Sequence, residues 1–158
     1  HAGVIDRRMS WFPSFLCTMS RLLVLGQFSM IALLLLGGGW DLPWWAWSIF
    51  GLGLAVFLWA ALSLGKGNFT ILPDPRIGNQ LSTMGIYSYV RHPMYTAVLL
   101  CGMAVTFGAP SPLRWAALFV CAVVLVIKIR YEEGQLTARH PSYTQRMSNV
   151  ARLFPGVW

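Results

Sequence analysis

The sequence predicts an all-α integral membrane protein with about four transmembrane helices, and three observations support this fold class. Hydrophobic residues make up 56% of the 158 residues, and charged residues make up only 11%. This composition lies outside the range of soluble globular domains. Four apolar segments are long enough to cross a bilayer, and almost all Lys and Arg residues gather on one side of them.

The apolar segments lie at about 15–38, 44–64, 93–109 and 113–129. A hydrocarbon core about 30 Å thick takes roughly 20 helical residues, with tolerance for tilt. The first segment stops at Gly37–Gly39, and the second opens with Trp44 and Trp45, which are typical of the aromatic belt at a headgroup boundary. Pro110 and Pro112 predict a tight hairpin between the last two segments.

The distribution of positive charge predicts the orientation. Of the 12 Lys and Arg residues, only Arg114 lies on the far side, so both termini are expected in the cytoplasm. The 65–92 connection and the polar tail from Lys128 onward then share one face, where they can build a single site. Gly and Pro residues punctuate the connection, which predicts an ordered, largely non-helical loop.

Charge and cysteine content exclude two other classes of function. The formal net charge is +7, but no basic cluster is interleaved with polar or aromatic residues as a nucleic-acid surface requires. The three cysteines lie in apolar segments without CxxC or Cys/His spacing. We therefore expect neither a metal site nor a disulfide framework.

The domain organisation is expected to be simple. Residues 1–8 precede Met9 and are interpreted as a leftover of expression cloning or a disordered N-terminus, and residues 9–158 as one membrane domain. Gly51 and Gly53 permit close helix packing, which occurs within chains as often as between them. We expect a monomer.

The pentapeptide Arg91–Tyr95 places a cation, an imidazole and a phenol at the mouth of the third apolar segment. Pro93 predicts the first turn of a helix, where its missing N–H costs nothing. The free amides of that turn would suit an anion. Gly85, six residues earlier, predicts a turn with positive φ that lets backbone approach a ligand.

A longer series of motifs around this pentapeptide resembles the isoprenylcysteine carboxyl methyltransferase family, whose wider kin include phospholipid N-methyltransferases. The series comprises Pro73-Asp74-Pro75, the stretch 81–95, an apolar hairpin, Glu132-Glu133, and the tail residues Leu136, Tyr143 and Arg152–Pro155. The resemblance covers 65–158, and the glycine of the motif is followed here by Ile86 instead of the usual proline.

The resemblance implies methyl transfer from S-adenosylmethionine at the cytoplasmic membrane face, leaving S-adenosylhomocysteine. It places the cofactor between the stretch Gly85–Tyr95 and the region of Glu132. The implied cofactor-binding residues are Gly85, Tyr87, Arg91, His92, Pro93, Tyr95, Glu132 and Glu133.

Catalytic roles are assigned on the same resemblance to Arg91, Glu132, Arg130 and Arg152. Arg91 is expected to hold a carboxylate of the cofactor or of the substrate. Glu132, favoured slightly over Glu133, is expected to bind the cofactor's amino group or ribose. Arg130 and Arg152 are further candidates for the substrate carboxylate.

Two patterns have simpler interpretations. Lys128 and Glu132 are spaced as an i,i+4 surface pair. Arg139–Tyr143 repeats the pattern of the pentapeptide but precedes no apolar helix, and we interpret it as coincidence.

Three functions remain open at this point. The first is carboxyl O-methylation of a prenylcysteine-like or other amphiphilic thioether acid, which needs no general base because a carboxylate is ionised near neutral pH. The second is N-methylation of a phospholipid or amine, with His92 or Glu132 accepting the proton. The third is a non-catalytic or reductase-type relative. We expect membrane lipids as surroundings, no nucleic-acid partner, and a bacterial or archaeal cell membrane in preference to the endoplasmic reticulum.

Overall fold

The computed structural model describes residues 8–64, 84–139 and 142–156, with side chains for 18–64, 84–138 and 142–156. Four long helices account for most of this part of the chain: α1 (Arg8–Leu36), α2 (Trp44–Leu64), α3 (Pro93–Gly108) and α4 (Pro112–Arg139). A 3₁₀ turn (Gly85–Ser88) precedes α3, and a short helix, α5 (Tyr143–Arg146), follows α4. The predicted all-α membrane fold is confirmed.

Among the described residues, three helical stretches are long and apolar enough to cross a membrane: Thr18–Leu36, Trp44–Leu64 and Pro112–Ala138. The helix α3 is also apolar but has 16 residues, so it spans only about 24 Å. Large apolar side chains such as Leu22, Phe28, Leu62 and Phe119 are exposed on the outside of the bundle. An exposed apolar surface of this extent suits lipid and not water.

The predicted apolar segments lie within or close to the observed helices. The segment predicted at 113–129 forms the first part of α4, which continues to Arg139. Arg, Glu, Gln, Leu and Ala make up seven of the ten residues from 130 to 139, and all five are strong helix formers. The expected stop at Gly37–Gly39 is confirmed, because α1 ends at Leu36. Residues 65–83 of the predicted ordered loop lie outside the described residues.

The bundle is arranged as α2 against α3 and α1 against α4, with α3 and α4 in contact. Its apolar core includes Leu34, Ala46, Val105 and Ala117. The approach of α2 to α3 requires a glycine, because a Cβ added at Gly53 would lie 2.6 Å from Sγ of Cys101. Small residues here therefore pack helices within the chain.

Arg114, in the first turn of α4, joins the ends of three helices. Its side chain is fully buried. Nε donates to the Leu34 carbonyl at 3.0 Å, Nη2 donates to Gly38 at 3.2 Å, and Nη1 donates to Ala109 at 2.9 Å and Val105 at 3.2 Å. These carbonyls lie at the C-terminal ends of α1 and α3, where the helix dipole is negative. The one cation predicted on the far side is therefore a structural link between helices.

Replacing Arg114 with Met should lower the free energy of unfolding by about 2–4 kcal/mol, because buried helix-end carbonyls would lose their donors. Denaturant unfolding in one fixed detergent measures the change. Arg21→Met, at an exposed position on α1, is the control and should change stability by less than about 0.5 kcal/mol. Equal stability of the Arg114→Met protein and the wild type would contradict the linking role.

Candidate functional site

The candidate site lies where four parts of the chain meet: the 3₁₀ turn, the start of α3, the second half of α4, and the segment 142–156, which we call the C-terminal segment. A parallel bridge joins Val90 to Ala151. The amide of Arg91 donates to the Ala151 carbonyl at 2.8 Å, and the amide of His92 donates to Arg152 at 3.0 Å. Thr96 Oγ1 donates to the Leu153 carbonyl at 2.7 Å. The C-terminal segment is thus fastened along the entrance to α3.

Gly85 has the positive φ that the sequence predicts, at 60°. A Cβ at this position would also lie 2.4 Å from Oγ of Ser63 at the end of α2. Both the backbone conformation and the lack of space therefore require glycine. The turn sets Tyr87 beside the site, where burial, followed by the charge of Glu132, raises the pKa of the phenol to about 12. Tyr87 stays protonated at physiological pH.

Pro93 is the first residue of α3, as predicted, and His92 is its N-cap. The amides of Tyr95 and Thr96 donate to the His92 carbonyl at 3.0 and 3.1 Å. The amides of Arg91 and His92 donate to the C-terminal segment. The helix start therefore offers a ligand fewer free amides than the sequence suggests.

The Arg91 guanidinium is bound within the protein by three acceptors. Nε donates to the Val150 carbonyl at 2.8 Å, Nη2 donates to Met147, and Nη1 donates to Glu133 Oε1 at 3.0 Å. Two of these acceptors belong to the C-terminal segment. Arg91 was predicted to hold a ligand carboxylate. In the structure its guanidinium binds carbonyls of the C-terminal segment and so holds this segment in place.

Glu133 joins two arginines. One carboxylate oxygen accepts from Arg91, and the other accepts from Arg152 Nε at 2.9 Å. Both Glu133 oxygens are therefore engaged inside the protein. The Arg152 side chain is 39% exposed, which leaves part of it at the surface of the site.

Glu132 is held differently, by Tyr95 and His92. The Tyr95 hydroxyl donates to Oε1 of Glu132, and Oε2 lies 3.3 Å from His92 Nδ1. The two rings stack with centroids 5.6 Å apart and an interplanar angle of 8°. The Glu132 side chain remains 18% exposed. Glu132 therefore contacts a phenol and an imidazole, whereas Glu133 contacts two guanidinium groups.

His92 is buried, and its Nε2 has no hydrogen-bond partner among the described residues. Nε2 lies 3.6 Å from Glu133 Oε1, which is beyond hydrogen-bond distance, so Glu133 acts on it through charge. Burial lowers the pKa of His92, but the contact with Glu132 and the two negative charges outweigh it and raise the pKa above 6.5. Buried polar atoms without a hydrogen bond are rare in folded proteins, so Nε2 of His92 is a candidate contact for a ligand.

Arg130 and Lys128 also lie on α4, but neither has the environment that the sequence predicts. Arg130 is exposed, and it lies about 200° around the helix from Glu132, so the structure does not bring it into the cluster. The predicted Lys128–Glu132 surface pair is wrong, because Lys128 is only 2% exposed and its Nζ donates to Gln27 of α1. The sequence gives no signal for this partner, which is 101 positions away.

The repeated pattern Arg139–Tyr143 lies partly outside the described residues, which omit 140 and 141. Its last residue, Tyr143, is 3% exposed. Burial, followed by the charge of Glu133, raises the pKa of this phenol to about 12. Tyr143 therefore packs beside the arginine–glutamate cluster, whatever the origin of the repeat.

The raised pKa of His92 predicts a pH-dependent contribution to stability. Protonated His92 is favoured by folding, so its contribution is complete below about pH 6.5 and is lost as the pH rises through the folded-state pKa. The wild type should therefore melt at a higher temperature than His92→Gln at pH 5.5, and this difference should become smaller as the pH is raised to 9. Gln145→Asn, at an exposed position of the C-terminal segment, is the control and should show no such trend. A constant difference for His92→Gln would contradict the assignment.

Arg91→Lys should loosen the C-terminal segment, because a lysine cannot reach three acceptors at once. Cleavage by chymotrypsin after Tyr143, a buried residue of this segment, should accelerate about tenfold as local opening becomes easier. Arg146→Lys changes an exposed arginine of the same segment and should leave the cleavage rate within twofold of wild type. Equal cleavage of the two variants would show that Arg91 does not hold the segment.

One known protein family matches the chain over most of the helical bundle. A family model described as phospholipid methyltransferase matches residues 43–145, a range that runs from the start of α2 through the pentapeptide and both glutamates. No curated protein gives a significant match to the chain. The matched family is that of the isoprenylcysteine carboxyl methyltransferase-like membrane proteins, so the predicted resemblance is confirmed. The chain therefore belongs to the phospholipid methyltransferase family and is a membrane methyltransferase.

Proposed function

We propose that the protein transfers a methyl group from S-adenosylmethionine to a carboxylate of an amphiphilic, isoprenylcysteine-like acceptor. Methyltransferases of this family generally use that cofactor. The observation that supports the proposal is the arrangement around Glu132, at one end of a membrane bundle: a partly exposed carboxylate next to a buried histidine whose Nε2 has no hydrogen-bond partner within the part of the chain that the structure describes.

The residues present fit the polar groups of the cofactor. Glu132 supplies a negative charge for the α-ammonium or for ribose hydroxyls, and Tyr95 and His92 fix the orientation of its carboxylate. The Nε2 atom of His92 can donate to a carboxylate or accept from a hydroxyl, depending on its protonation. Tyr87 and the backbone at Gly85 form the adjoining wall.

When bound, S-adenosylmethionine supplies an activated methyl group on a positively charged sulfur. An ionised acceptor carboxylate could accept that methyl group without losing a proton, so the site would need no general base for it. The chain's contribution is to orient the acceptor and to exclude water. Arg152, with its exposed portion, is the best-placed cation of the described site for the acceptor carboxylate.

A second candidate is N-methylation of an amine such as a phospholipid headgroup. One observation favours it: Arg91 and Arg152 are both paired with Glu133, so the cations available for an acidic acceptor are limited. An ammonium acceptor must first lose a proton, and the Glu132–His92 pair can take it. The family match supports both methyltransferase candidates over a non-catalytic or reductase-type relative.

The orientation follows from charge. The site shares its end of the bundle with the expected cytoplasmic Lys and Arg residues, whereas Arg114 lies about 27 Å away along α4. We therefore propose that the site faces the cytoplasm of a bacterial or archaeal cell.

Calorimetry with S-adenosylhomocysteine on the purified protein tests cofactor binding. The wild type should bind, and Glu132→Gln should raise the dissociation constant about 10- to 100-fold, because a charge-assisted contact is lost. Glu133→Gln is the matched control: it should lower the melting temperature more than Glu132→Gln does. No binding by a folded wild-type protein would overturn the methyltransferase proposal for both acceptors.

Methyl-transfer assays with an S-prenylcysteine analogue and with phosphatidylethanolamine in the same vesicles separate the two candidates. The leading candidate predicts transfer to the prenylcysteine analogue, with a rate that does not require deprotonation of the acceptor near neutral pH. Transfer to phosphatidylethanolamine alone would replace it with the second candidate.

A further inference from the structure

Lys128 is a buried cation that the proposed chemistry does not use. It lies on α4 one helical turn before Glu132, and its side chain is 2% exposed. Its Nζ donates to Oε1 of Gln27 on α1. In the described part of the chain no carboxylate lies within salt-bridge distance of this ammonium. A buried ammonium without an ion-pair partner is expensive, which in a membrane segment points to a functional role.

The ammonium also faces an aromatic ring of the candidate site. Lys128 Nζ lies 4.9 Å from the ring centroid of Tyr95, within the range of a cation–π interaction. The hydroxyl of the same ring donates to Glu132. One continuous set of contacts therefore runs from Gln27 through Lys128 and Tyr95 to Glu132, and it joins α1, α4 and α3.

We propose that Lys128 is a positioning residue, which holds the Tyr95 ring so that its hydroxyl keeps the Glu132 carboxylate in place for ligand binding. The proposal rests on the function proposed above, because its readout is ligand binding at Glu132.

The geometry explains why a cation is suited to this position. An apolar side chain would fill the same space, but it would not attract the face of the ring or the negative charge one turn further along α4. The amide oxygen of Gln27 compensates part of the desolvation without neutralising the charge. A carboxylate at the position of Gln27 would pair with the ammonium of Lys128 directly and draw it away from Tyr95. This explains why the acceptor on α1 is a neutral amide.

A double-mutant cycle on S-adenosylhomocysteine affinity tests whether Lys128 acts through Tyr95. Lys128→Met and Tyr95→Phe should each raise the dissociation constant about tenfold. Tyr95→Phe keeps the ring but removes the hydroxyl that reaches Glu132. If Lys128 acts through that hydroxyl, the double variant should be no more than about 20-fold weaker than wild type, whereas independent effects would multiply to about 100-fold. Lys128→Arg, which keeps a cation for the ring, should recover affinity to within about threefold of wild type.

Leu125→Ala is the matched packing control, because Leu125 is fully buried on α4 just before Lys128. It should lower the melting temperature at least as much as Lys128→Met, and any effect on affinity should multiply with that of Tyr95→Phe. Wild-type affinity in Lys128→Met, or multiplicative effects of Lys128→Met and Tyr95→Phe, would overturn the positioning role alone. No binding by the wild type would overturn it together with the proposed function.

Discussion

The site depends on the ion cluster formed by one carboxylate and two guanidiniums. Glu133 binds Arg91 and Arg152 through different oxygens, and Arg91 also binds two carbonyls of the C-terminal segment. The cluster therefore joins α4, the start of α3 and the segment that follows α4. Because breaking such a cluster would leave partly buried charges without partners, it constrains all three parts at once. The neighbouring Glu132 remains 18% exposed beside this cluster.

Adjacent glutamates on one helix have acquired different environments. Glu133 meets permanent cations, whereas Glu132 meets a phenol and an imidazole. This division gives Glu133 a structural role and would leave Glu132 for the proposed ligand, and successive positions on a helix allow it because they point about 100° apart. At the opposite end of the bundle Arg114 satisfies helix-end carbonyls, and no carboxylate of the described residues pairs with it. The charged residue Arg114 therefore stabilises the fold at one end of the bundle. At the other end, Glu133 stabilises the fold and Glu132 belongs to the candidate site.

Local rules predicted the features that depend on backbone geometry. Gly85 has its positive φ because glycine lacks the Cβ that disfavours this conformation. Pro93 begins α3 because its fixed φ and missing N–H suit the first turn of a helix. The partners of Arg91 and Lys128 could not be predicted in this way. Arg91 binds carbonyls 56 and 59 positions away, and carbonyls carry no signature in a sequence. Lys128 was expected at the surface because its i,i+4 spacing to Glu132 is typical of exposed pairs, but the packing of α1 against α4 buries it. The spacing of residues along a helix predicts which of them share a face, but it does not predict which other helix packs against that face.

The shortness of α3 affects how reactants meet. Its 16 residues span about 24 Å, less than a hydrocarbon core about 30 Å thick, and the site lies at its first turn. If α3 lies within the hydrocarbon core, the site at its first turn would lie close to the hydrocarbon, while α4 continues past it to Arg139. An acceptor dissolved in the bilayer would arrive by lateral diffusion in two dimensions. Its effective concentration is then its mole fraction among the surrounding lipids, so adding inert lipid at constant acceptor would dilute the substrate as surely as adding water dilutes a soluble one.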